Sequence, residues 1–544
     1  MPTKILLIAL LGIIPLLHSC QPQPSGKTTN NDTIPPAELV VTDASIPGNF
    51  SGQQKLHFDS IRIDGFLKTY PEFNSYKDEL NRFYRARKFS YAWYDDQGMI
   101  ESSQDLFNRV SNITDEGIPF KVPYFDTYKS MIEVKDSLMT NGPNPEAEIM
   151  LTAQYFNYAH VVWKGLPESS SYKSEWYVPR KKLTYDQLLD SMLQAKSNGN
   201  KVREPVYHQY TLLKEYLQLF RQWEKEGKWM TIPAQKRSYR TGDTAEVLTT
   251  IRKQLFHSQD LEKDNGSNVF DTTLAIGVRS FQHRFGLKED GVIGPNLVKQ
   301  MGAPLSDRIR QIIVNMERCR WIPDDPKGDF LLVNIPEFKL HVFASDTLAW
   351  SCNVVVGKDV NKTVIFSGDL KYVVLSPYWN VPPSIYTKEI APAMKRNPNY
   401  LASHNMEWNG NQIREKPGPR NSLGLVKFLF PNSYNIYLHD SPAKSLFTEE
   451  KRAFSHGCIR VSEPKRLAIH LLRNDPSWDE EKITAAMSKP VEQTVTLKKS
   501  IPVSIVYFTA WVDAQGKLNL RDDIYKRDAS LMDQIFENSG KTGQ

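Results

Sequence analysis

The chain has 544 residues, more than one hydrophobic core ordinarily serves, so roughly three or four domains are expected. Apolar residues make up 40% and charged residues 24%, a balance that excludes wholesale disorder. The formal charge of +6, from 68 basic against 62 acidic residues, is too diffuse to point to nucleic acid and is compatible with a mildly anionic polymer as partner. The cysteines are Cys20, Cys319, Cys352 and Cys458, too few for a disulfide scaffold. At most Cys319 and Cys352 are candidates to pair, and both are expected to be buried apolar residues.

The N-terminus reads as an export signal. Lys4 precedes an apolar run from Ile5 to Leu17, too short for a bilayer-spanning helix but suited to a signal core. Leu17-His18-Ser19-Cys20 resembles a bacterial lipobox, in which the cysteine is lipidated and becomes the first residue. That resemblance implies a signal peptide over 1–20 and a lipid anchor on Cys20. It also implies a periplasmic, membrane-anchored protein. The lack of an acidic run after Cys20 favours the periplasmic face of the outer membrane. A plain secretory signal with an incidental cysteine is the alternative. Residues 21–52 open with QPQPSGKTTNNDTIPP, which cannot bury a core and reads as a flexible tether.

From 53 to 236 the pattern is mainly helical. Apolar and aromatic residues recur at spacings of three and four in 66–87, 148–163 and 207–223, with an aromatic loop at 89–99. No catalytic constellation occurs there, so this region is read as a helical scaffold whose aromatic stripes pack. Residues 237–304 form a second unit. Helical sequence opens it at 239–256 and closes it within 273–301; Gly286 suits a helix C-cap, and Asp290-Gly291 suits a turn. Arg279, Phe281, Gln282, Gly286, Leu287, Asp290, Gly291, Ile293, Gly294 and Pro295 make a pattern that resembles the small three-helix peptidoglycan-binding domain. The resemblance implies a wall substrate and no chemistry.

From 305 to 544 strand patterns take over. Residues 330–344, 349–357, 372–382, 425–430, 434–440 and 500–513 alternate or run in β-branched and aromatic residues between turn signals. Helical pattern interrupts them at 385–404 and 463–474. This is a mixed, mostly-β domain. The fold class expected for the whole chain is therefore multidomain: an α-helical scaffold, a small three-helix domain and a mostly-β (α+β) domain.

The chemistry sits in 437–464. His439 ends a predicted strand, and Cys458 follows in SHGC with Ile459-Arg460-Val461 after it. A thiol attacks as thiolate, and an imidazole within reach removes its proton. The base needs a third group to fix its tautomer, which a backbone carbonyl supplies as well as a carboxylate. Gly457 lets backbone approach a substrate, and its N–H is a candidate oxyanion-hole donor. Neither cysteine nor histidines show metal-ligand spacing, and no metal or organic cofactor is expected.

The pattern H-x15-SHGC-I-R resembles the active-site motif of the YkuD-like L,D-transpeptidases. NMERCRWIP, VVVGK, SPYWNVPPSI and KPGPRNSLGLVKFLFPNSYNIYLHDSP extend the resemblance to the YcbB-type subgroup, as does the order of domains. The resemblance implies Cys458 as nucleophile, His439 as base and the backbone carbonyl of Asp440 as its orienting partner. It places Ser455, His456 and Arg460 at the site, with Arg460 either meeting a substrate carboxylate or making an internal ion pair. It also implies a helical cap over about 383–420, with Trp379, Asn380, Tyr386, Arg420 and Asn421 as candidates to line the groove. The partners implied are peptidoglycan stem peptides: a donor tetrapeptide and an acceptor amine, joined as a 3→3 cross-link through a thioester. Three rival readings stand beside it. They are L,D-carboxypeptidase action with water as acceptor, a cysteine-peptidase wall hydrolase, and a non-catalytic wall-binding tether. The order of His439 before Cys458 counts against the hydrolase.

Overall fold

The computed structural model describes residues 56–95, 98–133, 143–197, 203–235, 237–323 and 327–539. Expectations for Cys20, the signal and the tether lie outside them.

The N-terminal helical region is built around the helix Pro145–Tyr158. Its residues from Ala147 to Tyr158 are all buried, so it is a core helix rather than an amphipathic surface one. Asn144 caps it by accepting from the backbone N–H groups of Glu146 and Ala147, and Pro145 takes the first helical position. The chain then continues as a π-turn, Ala159–Lys164. The helix predicted across 66–87 breaks into Ile61–Thr69, a 3₁₀ segment Pro71–Tyr76 and Lys77–Ala86. Pro71 lacks the N–H that an unbroken helix needs. Within 89–99, β1 (Tyr94–Asp95) pairs antiparallel with β2 (Gly98–Met99).

The small unit has three helices, Glu246–His257, Thr272–Arg284 and Pro295–Met301. Its motif residues hold the fold. Buried Gln282 accepts from Gly291 N at 2.9 Å and donates to Asp290 Oδ1 at 2.9 Å, while Phe281 stacks on Phe285 at 3.9 Å.

The C-terminal part is a sheet. Its strands are β3 (Phe330–Asn334), β4 (Lys339–Ala344), β5 (Thr347–Gly357), β6 (Ser367–Leu375), β10 (Val426–Leu429), β11 (Leu438–His439), β12 (Ala453–Ser455), β13 (Ile459–Val461) and β14 (Gln493–Val506). They are ordered β12-β5-β13-β11-β10-β6-β14-β3-β4, and β4 also pairs with β5. That last pairing closes the strands from β5 to β4 into a ring, with β12 attached outside it to β5, which the strand pattern alone does not reveal. Between β6 and β10 a separate sheet of β7 (Trp379–Asn380), β8 (Met406–Asn409) and β9 (Gln412–Glu415) forms, ordered β7-β9-β8. The cap is thus short helices on a small sheet. It has its own core of Val381, Ile390, Met406 and Ile413, distinct from the main one.

Two elements tie these parts together, and neither is evident from periodicity. The 17-residue helix Leu305–Trp321 is buried from Arg308 onward on nearly every face, polar residues included. Arg320 pairs with Glu317 at 2.9 Å and donates to Val162 O at 2.6 Å and to Tyr210 Oη at 3.0 Å. Glu317 Oε1 also accepts from Leu166 N and Trp321 Nε1, each at 2.8 Å. A helix that buries charge this way shows no apolar stripe. The second element is the hairpin β15 (Ala510–Val512) and β16 (Leu518–Leu520). Gln209 exchanges two hydrogen bonds with Val512, at 2.9 and 2.7 Å. Arg284 of the small unit donates to Leu518 O at 2.6 Å.

Gly165 shows how tight this junction is. Its φ is +66°, and a Cβ there would meet Arg320 Cδ at 2.5 Å and Glu317 Oε1 at 2.6 Å. Gly165→Ala combines a left-handed backbone with a clash against a buried ion pair. It is expected to cost about 2–4 kcal/mol, read as a lower chemical-unfolding midpoint. A midpoint equal to the parent's would show that the junction yields.

Candidate active site

Strands β11 and β13 run parallel, with Leu438 opposite Ile459 and His439 opposite Arg460. Leu438, Ile459 and Val461 are fully buried in the main core. Alternation along each strand therefore sends Tyr437, His439, Cys458 and Arg460 to the other face together. This register brings two distant stretches of sequence to one site.

His439 is buried, and its Nδ1 lies 2.5 Å from the carbonyl oxygen of Asp440. A carbonyl only accepts, so Nδ1 carries the proton and Nε2 is left with a free lone pair. Burial, with the Arg460 charge beside it, lowers the imidazole to about 3, so the ring is neutral at physiological pH. The Asp440 carboxylate faces elsewhere. It accepts from Leu425 N at 2.9 Å and Ser441 N at 2.6 Å and pairs with Lys444.

Cys458 is half-buried, with Sγ 3.5 Å from Asn435 O. Burial pushes the thiol up; Tyr437 and the Arg460 charge oppose that without overturning it. No hydrogen bond joins Sγ to the His439 ring. The resting pair is a neutral thiol beside a neutral imidazole, not a preformed thiolate–imidazolium. Tyr437 was not singled out from sequence, where it looks like one more strand aromatic. Its hydroxyl interacts with the Cys458 thiol and with Trp379, and its ring lies 5.7 Å from that of His439. The signal available was its position two residues before His439, on the same face.

The SHGC turn supports itself. Ser455 is buried, donates to Cys458 O at 2.6 Å and accepts from Gly457 N at 3.2 Å. Ser455 thus shapes the turn and does not line a groove. Gly457 has φ +116°, a conformation that favours glycine. Its N–H is engaged by Ser455, so the oxyanion-hole donor expected there already has a partner. His456 is exposed, and its Nε2 lies 3.2 Å from Glu389 of the cap. Among the described residues Arg460 has no ion-pair partner, and its Nε is buried without an acceptor.

The groove candidates divide. Trp379 and Tyr386 pack against the cap core while staying partly exposed, and Asn380 and Arg420 are exposed. Asn421 is buried and saturated. It donates to Pro377 O at 3.1 Å and Lys416 O at 2.9 Å and accepts from Leu423 N at 2.8 Å. It locks the base of the cap and is not free to meet a ligand. Cys319 and Cys352 are both buried and form no disulfide with each other. Among the described residues, no three His, Cys, Asp or Glu side chains are placed to hold a metal ion, and no helix is long and apolar enough to cross a membrane.

Family comparison matches residues 328–483 to the YkuD L,D-transpeptidase catalytic domain and 78–217 to a scaffold domain. It matches 248–301 to a "Putative peptidoglycan binding domain". A Haemophilus influenzae protein described as "Putative L,D-transpeptidase" is 32% identical over 247 residues, which cover 42% of this chain and 50% of that protein. The chain thus spans half the length of that curated relative. Among solved structures, an L,D-transpeptidase (Yku) from Stackebrandtia nassauensis is 14% identical over 51% of this chain and 97% of that one, with a TM-score of 0.23. The L,D-transpeptidase from Xylanimonas cellulosilytica (residues 123–326) is 14% identical over 50% of this chain and 100% of that one, with a TM-score of 0.18. The chain carries an L,D-transpeptidase catalytic domain together with a scaffold domain and a peptidoglycan-binding domain, in the order of the YcbB-type subgroup.

The protonation state is open to direct test. With the thiol raised and the imidazole neutral, alkylation of Cys458 by iodoacetamide is expected to rise with pH, with its midpoint above that of an ordinary cysteine. A rate already at plateau below about pH 7 would mean a resting ion pair instead.

Proposed function

We propose that the chain is a cysteine-dependent L,D-transpeptidase that joins peptidoglycan stems by 3→3 cross-links. The observation that carries this is the shared face of Cys458, His439, Tyr437 and Arg460, with the His439 tautomer fixed so that Nε2 accepts.

A donor tetrapeptide stem binds with a carboxylate against unpaired Arg460. Pairing offsets the Arg460 charge, the smaller cause of the low His439 basicity after burial. The Cys458 proton passes to Nε2, and sulfur attacks the carbonyl carbon of the third stem residue. The bond to the terminal D-alanine breaks, and its nitrogen takes the proton from His439. A thioester remains. The side-chain amine of a second stem attacks it, His439 takes the amine proton, the carbon–sulfur bond breaks, and the thiolate recovers that proton. Splitting one acyl transfer into two suits a thiol. Tyr437, against Sγ and Trp379, is placed to donate to the oxygen that gains charge at each step. Lipidation of Cys20 would hold this chemistry at the membrane bordering the wall; the chemistry itself does not need it.

Cys458→Ala is expected to abolish both D-alanine release and 3→3 dimers when muropeptide products are resolved by mass spectrometry. Persistence of either in the purified variant removes Cys458 as nucleophile, and a strain that keeps its full phenotype revives the tether reading. His439→Ala should lower kcat/KM for D-alanine release by about 10²–10⁴. Arg460→Gln should raise the donor KM by about tenfold or more, with Arg460→Lys intermediate. If KM stays put in Arg460→Gln, the guanidinium does not bind the donor.

A further inference from the structure

A transpeptidase needs room for two substrates, and the cap reaches Cys458 through only some of its neighbours, Tyr437 and His456. Other neighbours lead to a seam between the helical region and the ring of strands. Trp176 bridges to Ile365, and Tyr177 N donates to Ile365 O at 2.9 Å. Along this seam three exposed tyrosines form a ledge. Tyr172 lies 6.0 Å from Tyr177, and Tyr177 lies 5.6 Å from Tyr434. They are 54%, 36% and 38% exposed, so the ledge crosses from one region to the other in open solvent. Tyr434 immediately precedes Asn435, whose carbonyl meets the Cys458 thiol.

A cavity opens beside the ledge, lined by Tyr177 and by two opposite-charge pairs. Arg527 meets Glu175 at 2.5 Å, and Lys362 meets Asp359 at 3.9 Å. Arg527 is 6% exposed, its guanidinium lies beside the stacked rings of Tyr507 and Tyr525, and its Nε and Nη1 have no acceptor. Glu175 sits at φ +53°, a strained setting for a residue that shows its carboxylate to the cavity. The cavity also abuts the nucleophile turn. A Cβ on Gly457 would lie 3.9 Å from the carbonyl oxygen of Lys362.

We propose that this seam is the acceptor subsite, taking the stem peptide of the second peptidoglycan strand. The proposal rests on the transpeptidase reading above. The acceptor residue in this proposal is a diamino-dicarboxylic acid: its free end carries both ammonium and carboxylate, and two adjacent pairs of opposite charge match such a zwitterion better than a single-sign patch does. The tyrosine ledge offers flat, amphipathic faces to the rest of the acceptor, sugar ring or peptide plane. Donor and acceptor then reach the same sulfur along different paths.

The test uses the full chain with a disaccharide-tetrapeptide as donor and a disaccharide-tripeptide, which has no residue to lose, as added acceptor. The readout is the ratio of cross-linked dimer to hydrolysed product, which is insensitive to the amount of active enzyme. Tyr177→Ala with Tyr434→Ala is expected to lower this ratio about tenfold, by raising the acceptor concentration that gives half-maximal dimer. Glu175→Gln, which preserves size, should lower it in the same direction. Binding of the disaccharide-tripeptide to Cys458→Ala should weaken in parallel when the tyrosines are removed. A parental ratio in the tyrosine variant, or in Glu175→Gln, overturns the subsite. A parent that releases D-alanine but forms no dimer also overturns it, in favour of carboxypeptidase action. A parent that releases no D-alanine removes the underlying reading as well.

Discussion

The parallel register of β11 on β13 is the constraint on which the site depends. Side chains alternate with a period of two, so a slip of one residue would bury Cys458 and turn Ile459 outward. Neither strand is long enough to hold that register unaided, since one has two residues and the other three. Their neighbours hold it for them. Lys427 of β10 pairs with His439, and Val355 of β5 pairs with Arg460, inside a ring closed by β4 on β5. Closure removes free edges along which short strands could shift. The barrel core of Leu438, Ile459 and Val461 then penalises any slip by exposing apolar surface.

The same burial that secures the register sets the electrostatics. It disfavours charge on both reacting groups, holding the thiol protonated and the imidazole neutral. Arg460 acts on the two with opposite sign: it favours a thiolate and disfavours an imidazolium. A positive group with no partner is costly to keep in such a setting. Its persistence makes sense if its partner arrives with the substrate. Pairing of Arg460 would ease protonation of the imidazole and remove support for the thiolate together, so its two effects on proton transfer from Cys458 to His439 oppose each other.

The multidomain fold class was legible in the sequence, and so were the positions that the fold gathers on one face. Cys458 and His439 were legible because SHGC and its upstream histidine are short, dense patterns. Arg460 was located, but its lack of an ion pair was not, because pairing depends on which carboxylates the fold brings near. Ser455, expected at the site, and Asn421, expected to line the groove, both spend their side chains on internal hydrogen bonds. A polar side chain in a motif looks the same in either role until its hydrogen-bond partners are known. Tyr437 was missed for the converse reason: an aromatic in a strand reads as packing. The helix Leu305–Trp321 escaped because Arg318, Arg320 and Glu317 are buried as partners, which erases the apolar stripe on which helix recognition relies.

These supports also sort the molecule into parts that hold and parts that can move. The helical region, the three-helix unit and the ring of strands share buried bonds through Arg320, Gln209 and Arg284, and breaking any of them strands polar groups away from water. The cap is attached differently. It has a separate small core, and outside its base its links to the site are a surface His456–Glu389 contact and the Trp379–Tyr437 contact. Surface ion pairs of this kind contribute little to stability. Low local stability therefore lies on the cap side of Cys458, the side that our proposal gives to the donor, while the seam with its tyrosine ledge is fixed by the core. A mobile wall on one side of a nucleophile and a rigid one on the other suits a two-step transfer. The first partner must enter, react and leave a fragment behind, and the second must find the thioester at a constant place.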